Sequence, residues 1–307
     1  MPLYLGIDTS NYTTSAALLE SRSGTIRQFK IPLPVKEGEL GLRQSDAVFH
    51  HTIQLPQALE TLLIDAKPDY VAASEKPRDA QGSYMPCFMV GAGSARSIAA
   101  ACGVPVSFYS HQAGHIAAAL YSANRLDLFE REFIAFHVSG GTTEAVLVTP
   151  NAERGFNCRL AAASLDLKGG QAVDRVGLML GLRFPAGAQL EALALRSQAA
   201  FNIKPSMKGA DCSLSGIENK CKELLNKGSP PEDIALFCLV SIQEVLAAMA
   251  TALLAEHPNL PLVFAGGVMS NSIIRKSLES RFNAHFAAPE FSADNAAGIA
   301  LLARGKR

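Results

Sequence analysis

The 307-residue sequence is 48% hydrophobic and 18% charged, the composition of a globular protein with a substantial core, and its length predicts about two lobes of roughly 150 residues. Lys plus Arg and Asp plus Glu each number 28, so the formal net charge is zero. The densest basic patches are short and mixed with acids, so any nucleic-acid contact is expected to be modest or shared with a partner. The longest apolar runs, such as LAAMATALLA, stop short of the ~18–20 residues of a membrane span, so no membrane segment is expected.

In chain order, the opening MPLYLGIDTS shows neither a basic leader nor a cleavage site. It reads as a strand at residues 3–7 running into the turn formers from Asp8. Strands at 14–19 and 25–31 complete a meander. An amphipathic helix at 45–64, a short strand at 70–74, a Gly/Ala-rich helix closed by Gly103 and a strand at 104–109 follow. Next comes SHQAGHIAAAL, where His111 and His115 stand four apart at the head of a helix. Both imidazoles then leave one face. That spacing alone fits either a metal pair still lacking a third ligand or two polar residues on an outer turn. The charged stretch 121–132 reads as a hinge. From residue 131 the order restarts with EFIAFHVSGGTTEAVLVTP, a strand, glycine turn and strand. A third strand near 158–163, helices, a buried strand at 260–267, a helix, and a last helix from Asp294 complete it. Two units of this kind predict a duplicated α/β fold. The lobes are placed at 1–122 and 130–307, with the final helix able to pack back on the first. Six scattered cysteines without a C-x-x-C pair predict reduced thiols and a cytoplasmic protein.

Four turns put backbone N–H groups and small hydroxyls where an anion can sit: DTSNYTTS at 8–15, SGGTTE at 139–144, KGGQAVDR at 168–175 and AGGVMSN at 265–271. Gly266-Gly267, between a buried strand and a helix, offers the best geometry, because the helix aims its positive end at the anion. Two of the four occupy matching places in the halves. They point to a nucleotide between two lobes, the actin-like arrangement, without a Walker A or G-x-G-x-x-G motif.

These residues carry a family resemblance that runs nearly end to end. LGIDTSNYTTSAALL resembles the opening G-I-E-T-S-C-D-[DE]-T turn of the tRNA threonylcarbamoyladenosine synthase family, long described as a glycoprotease. HQAGHIAAA is similar to its H-x-x-x-H helix, HVSGGTTE to V-S-G-G-H-T-Q, and GGQAVDRVGLMLGLRFPAG to G-E-A-[FY]-D-K through G-L-x-[YF]-P-G-G. SLSGIENK, AGGVMSNSIIR and SADNAAGIA resemble S-F-S-G-L-K-T, A-G-G-V-x-A-N-x-x-L-R and C-T-D-N-A-A-M-I-A. The resemblance implies a two-lobed actin-like ATPase fold, a duplicated RNase H-like unit with nucleotide and metal in the interlobe cleft. It implies that His111, His115 and Asp294 ligate a divalent metal, iron(II) or zinc by the donor types. Ser139, Gly140, Gly141, Asp174, Gly187 and Asn271, with Gly266 and Gly267, would hold an ATP- or AMP-type nucleotide or an acyl-adenylate. The implied activity is carbamoyl-type transfer from an adenylate to tRNA adenosine, with tRNA reached through partner subunits and a protein of the same fold as one possible partner.

The departures from the family pattern matter too. The family's acids after its cysteine are here Tyr12 and Thr13, and the cysteine is Asn11. Asp8 stands for its acid before T-S, which leaves Asp8 and Thr13 as candidate catalytic residues. The histidine of S-G-G-H-T is Thr142, the second residue of P-G-G is Ala186, and SEKPRDAQGSYMPC replaces the G-P-G-L turn. A divergent transferase with a changed acceptor pocket is therefore expected, against a non-catalytic nucleotide-binding scaffold. A metalloprotease is disfavoured, because Gln112 stands where H-E-x-x-H places its glutamate.

Overall fold

The computed structural model describes residues 1–10, 12–34, 42–292 and 296–305. The first half runs β1 (Leu3–Ser10), β2 (Thr13–Glu20), β3 (Ile26–Pro32), α1 (Gln44–Leu63), β4 (Tyr70–Lys76), α2 (Phe88–Cys102), β5 (Val106–Ser110) and α3 (His111–Ser122). After a 3-10 turn at Leu126–Glu130 come β6 (Phe133–Val138), β7 (Thr143–Asn151), β8 (Gly155–Ala163), α4 (Gly169–Met179), α5 (Gly187–Ala194), β9 (Ser206–Lys208) and β10 (Asp211–Ser213). The chain closes with α6 (Ser215–Asn226), α7 (Pro231–Glu256), β11 (Leu262–Ala265), α8 (Ser272–Arg281), β12 (Ala284–Phe286), α9 (Pro289–Ser292) and α10 (Ala297–Arg304).

Two five-stranded sheets carry the duplication. Their orders are β3-β2-β1-β4-β5 and β12-β11-β6-β7-β8, the same arrangement once the second is read from its other edge. In the first sheet β1 and β2 are antiparallel, β2 and β3 likewise, and β1, β4 and β5 run parallel. In the second, β6 and β7 are antiparallel while β6, β11 and β12 are parallel. The repeat that the sequence showed only as element order is thus a repeat of strand topology. The short hairpin β9–β10 and the strand β12 carry three-residue patterns too brief to read as strands beforehand.

The chain forms two compact units. One comprises Met1–Arg131, Thr149–Cys158 and Glu290–Arg307; the other comprises Glu132–Val148 and Arg159–Pro289. The sequence places the lobes at 1–122 and 130–307 with the final helix able to pack back on the first; the first unit also takes in Thr149–Cys158 and Glu290–Arg307. The charged stretch read as a hinge holds the end of α3 and the 3-10 turn, and the boundary between the units falls at its end, between Arg131 and Glu132.

In the first unit β1 is buried along nearly all its length, as expected for a strand covered on both faces. Helix α2 packs on one face through small residues, and a Cβ at Gly91 would stand 2.8 Å from Thr9 Oγ1. Gly103 closes α2 in the left-handed region at φ 66°, as its position predicts. Helices α3 and α10 pack together, and the approach is close enough that a Cβ on Gly298 would overlap Gly114 O. In the second unit Phe136, Phe264 and Phe286 stack across three neighbouring strands, with centroids 4.6 and 4.9 Å apart.

Helix α7 corrects one expectation. Its 26 residues include an 18-residue window of mean hydropathy 1.9, so by length and composition it could cross a membrane. Two-thirds of that window is buried in the protein, and residues from Ile234 to Leu253 fill the core of the second unit. A helix hydrophobic on every side is what a central core position selects.

Candidate functional site

In the first unit the chain passes from β5 into α3 without a loop. Ser110 is the N-cap, its Oγ accepting from Ala113 N at 3.2 Å, so His111 is the first helical residue and His115 lies one turn on. Their Nε2 atoms stand 2.9 Å apart and the rings are nearly perpendicular. Asp8, 1% exposed at the end of β1, accepts from Ser10 N with Oδ1 and meets His111 Nδ1 with Oδ2 at 2.7 Å. A carboxylate on Nδ1 fixes the imidazole tautomer and turns the Nε2 lone pair outward, the usual arrangement behind a metal-binding histidine. Asp8 thus acts on His111, a role that reading it as a catalytic acid had not included. Thr13 pairs with Ser10 across the β1–β2 turn, and Tyr12 beside it is 41% exposed. Among the described residues no group of three His, Cys, Asp or Glu gathers as a metal cluster. Asp294, the expected third ligand, and Asn11 lie outside the described residues.

The segment standing in place of the family's G-P-G-L turn is tied to the same helix. Asp79 Oδ2 accepts from Ser110 Oγ at 3.0 Å, Lys76 Nζ lies 3.0 Å from Asp79 Oδ1, and Gln112 N donates to Pro77 O at 3.0 Å. Asp79 therefore sets the cap of the histidine helix. Nothing in local spacing foretells this contact across 31 residues.

In the second unit the glycine turns interlock. Gly170 N donates to Ser139 O at 3.0 Å and Gly169 N to Thr143 Oγ1 at 2.8 Å, so the start of α4 rests on the β6–β7 turn. A Cβ at Gly170 would lie 2.5 Å from Gly140 N, and one at Gly169 would lie 2.9 Å from Val138 Cγ1. Gly266 sits at φ 102° and ψ 157°, a region open essentially to glycine alone, and a Cβ there would overlap Val138 O. By contrast, Gly140, Gly141 and Gly267 have nothing within 4 Å of where a Cβ would stand. Three glycines serve packing and three face open space. The internal hydrogen bonds of the β6–β7 turn join Ser139 and Thr142.

Farther along α4, Asp174 Oδ1 accepts from Ala186 N at 2.8 Å, which fixes the approach to Gly187 at the start of α5. Glu191 of α5 then accepts from Ser272 N at 2.8 Å, at the head of α8. Asn271 caps the same helix, its Oδ1 receiving Ile273 N and Ile274 N, each at 3.1 Å. The expected anion site at this helix start is thus filled from within, by one carboxylate and one amide oxygen. Glu191 was missed beforehand because its partner is 81 residues away. Asp166 was missed too. It accepts from Leu214 N at 2.7 Å and from Ser215 Oγ at 2.6 Å, capping α6 from a distant loop. Burial pushes its carboxyl upward, but hydrogen bonds from Ser215, Leu214 and Leu167 outweigh this and hold it below the usual carboxylate range.

A model of the tRNA N6-adenosine threonylcarbamoyltransferase family matches residues 40–301. A tRNA N6-adenosine threonylcarbamoyltransferase of Thermus thermophilus is 30% identical, covering 97% of this chain and 91% of its own. One of Archaeoglobus fulgidus is 29% identical over 96% of this chain and 88% of its own. Among solved structures, full-length HypF in a phosphate- and nucleotide-bound form aligns at TM-score 0.60 and 15% identity, over 99% of this chain and 55% of that one. Component A of the Acidaminococcus fermentans (R)-2-hydroxyglutaryl-CoA dehydratase aligns at TM-score 0.57 and 17% identity, over 100% and 99%. A ROK family glucokinase of Streptomyces griseus, in complex with glucose and AMPPNP, aligns at TM-score 0.50 and 13% identity, over 98% of each chain. At these identities the likeness is one of fold, the actin-like ATPase fold that the duplicated sheets display.

Proposed function

The chain belongs to the tRNA N6-adenosine threonylcarbamoyltransferase family, and on that premise we propose that it binds an adenine nucleotide or acyl-adenylate on the glycine turns of its second unit. The reaction is transfer of a threonylcarbamoyl group from the adenylate to an amine of an acceptor, tRNA adenosine in the parent activity. The amine attacks the carbamoyl carbon, the bond to the AMP phosphate breaks, and the amine loses its proton. The observation that carries this reading is the division of the glycines. Gly140, Gly141 and Gly267 expose backbone toward open space while Gly169, Gly170 and Gly266 lock the turns beneath them. Backbone N–H groups held in this way bind phosphate oxygens without reorganising. Asp174 keeps Ala186 with one oxygen, and its other oxygen is an acceptor for ribose hydroxyls. The amide nitrogen of Asn271 remains to donate, its oxygen being committed to the helix cap.

The donor set in the first unit fits a divalent cation, iron(II) or zinc. Two imidazoles converge at Nε2, and a buried carboxylate orients one of them. His111, His115 and Asp294 would hold it, and once bound it would supply Lewis-acid polarisation of a phosphate or carbonyl oxygen. Asp8 keeps His111 in the ligating tautomer, and Asp79 with Ser110 steadies the helix that presents it.

Tyr12 and Thr13 stand where the family pattern it resembles has acids, and Asp8 already engages His111. These residues favour slow transfer by this chain alone, an acceptor reached with partner subunits, or a scaffold that binds nucleotide without catalysis. Complementation of a cell depleted of its standard synthase, followed by nucleoside analysis of its tRNA, separates the readings. Poor restoration together with nucleotide binding by the purified protein is expected. Full restoration of threonylcarbamoyladenosine would refute the divergence.

A further inference from the structure

Phe184, three residues before Gly187, is 72% exposed, the most exposed large aromatic ring among the described residues. Its loop is not slack. After α4, Gly181 takes φ 77° and Leu182 N returns to Gly177 O at 2.9 Å, which closes the helix in a Schellman-type turn. Gln189 Nε2 donates to Arg183 O at 3.0 Å on one side of Phe184, and Asp174 receives Ala186 N on the other. The backbone is held on both sides, yet the ring stays uncovered. A single exposed ring is ordinary on a protein surface, so Phe184 carries a reading only through what accompanies it.

Its surroundings supply one. Arg183 adjoins it in the chain and is exposed, as are Arg175 and Leu178, which lie three residues apart on α4. Arg175 reaches Glu218 at 2.8 Å with its side chain still 55% exposed. Residues 159–227 hold ten Lys and Arg against six Asp and Glu, in a chain that is neutral overall. Rigid aromatic surface interleaved with arginine is the chemistry that takes an unpaired nucleobase. The ring stacks on the base and the guanidinium groups meet phosphates.

We propose that Phe184 is a stacking platform for an unpaired nucleobase of an RNA acceptor, with Arg183 and Arg175 meeting its phosphates. This rests on the reading of the glycine turns as the donor site. Three residues of chain put Phe184 within about 11 Å of Gly187, close enough for a base on the ring to neighbour a donor on those turns. The Asp174–Ala186 bond lies between the two in the chain and fixes their spacing.

The sequence contains no tryptophan, so Phe184→Trp introduces a single indole that can still stack. The full-length chain is titrated at low ionic strength, where the weak RNA contacts of a neutral chain are measurable, with a synthetic RNA stem-loop presenting unpaired adenosines, with a fully paired duplex of equal length, and with ATP. Expected are quenching of the indole by the stem-loop and not by the duplex, and a stem-loop affinity roughly 5- to 100-fold weaker in Phe184→Ala. ATP affinity and melting temperature should stay at wild-type values in Phe184→Ala. Stem-loop binding by Phe184→Ala equal to wild type, or a wild type that binds ATP and no stem-loop, overturns the inference while leaving the nucleotide site intact. Weakening of ATP binding alone would assign the ring to the donor purine and also overturn it.

Discussion

Replacing Gly298 with alanine sets two opposed effects against each other in one helix. In a helix interior the change ordinarily stabilises by about 1 kcal/mol, because glycine is the poorer helix former, and for Gly298, the second residue of α10, that is an upper bound. At Gly298 the new methyl would overlap Gly114 O, lie 2.6 Å from Gly114 C and 2.9 Å from Ala118 N. All three are backbone atoms of α3 and none can rotate aside. Helix α10 must therefore retreat from α3 by on the order of 1 Å, a gap that forfeits a quarter to a half of each contact along the seam. All seven residues from Ala297 to Ala303 are buried, so α10 is enclosed on its other sides as well and the shift disturbs more than this one contact. Overpacking of this kind costs about 1–3 kcal/mol, and the lost seam adds to it, so strain exceeds propensity. A net loss of roughly 2–3 kcal/mol is expected, lowering the melting temperature by about 3–5 °C for a chain of this length. The control is Gly93→Ala in α2, where nothing lies within 4 Å of the new methyl. It should melt at or slightly above wild type. Thermal unfolding followed by circular dichroism decides the matter, and a Gly298→Ala protein as stable as Gly93→Ala refutes the packing argument.

Purified His111→Ala and His115→Ala should lose divalent metal, and Asp8→Asn should weaken metal affinity roughly 10- to 100-fold by releasing the His111 tautomer; equal metal content in wild type and all three variants would remove the site. Asp174→Ala should weaken ATP or AMP binding by about 1–3 kcal/mol in calorimetry, since it removes a ribose acceptor and frees Ala186. Affinity unchanged by that substitution would place the nucleotide elsewhere. Asp166, whose carboxyl is depressed in the folded protein, stabilises fully above about pH 4, and that contribution fades as pH falls through its folded-state value. The melting-temperature gap between wild type and Asp166→Ala should accordingly shrink as pH falls below about 4, and a gap independent of pH would contradict the assignment.

Local pattern and spacing determined much of this protein. The apolar run of β1, the periodicity of α1, Gly103 at the end of α2 and the restart at residue 131 are each written within a few residues, so the duplicated α/β fold was legible from sequence. The i, i+4 spacing of His111 and His115 likewise needed only a helix to put both rings on one face. Tertiary structure alone decided what those residues meet. Asp8 and His111 are 103 positions apart and Ser272 and Glu191 are 81, separations over which sequence spacing carries no information. The glycines make the point most directly. Gly169, Gly170 and Gly266 read the same in sequence as Gly140, Gly141 and Gly267, yet the first three lie against a neighbouring strand or turn and the second three against open space. Whether a missing side chain serves packing or leaves room for a ligand depends on what stands opposite it, and only the folded chain puts anything there.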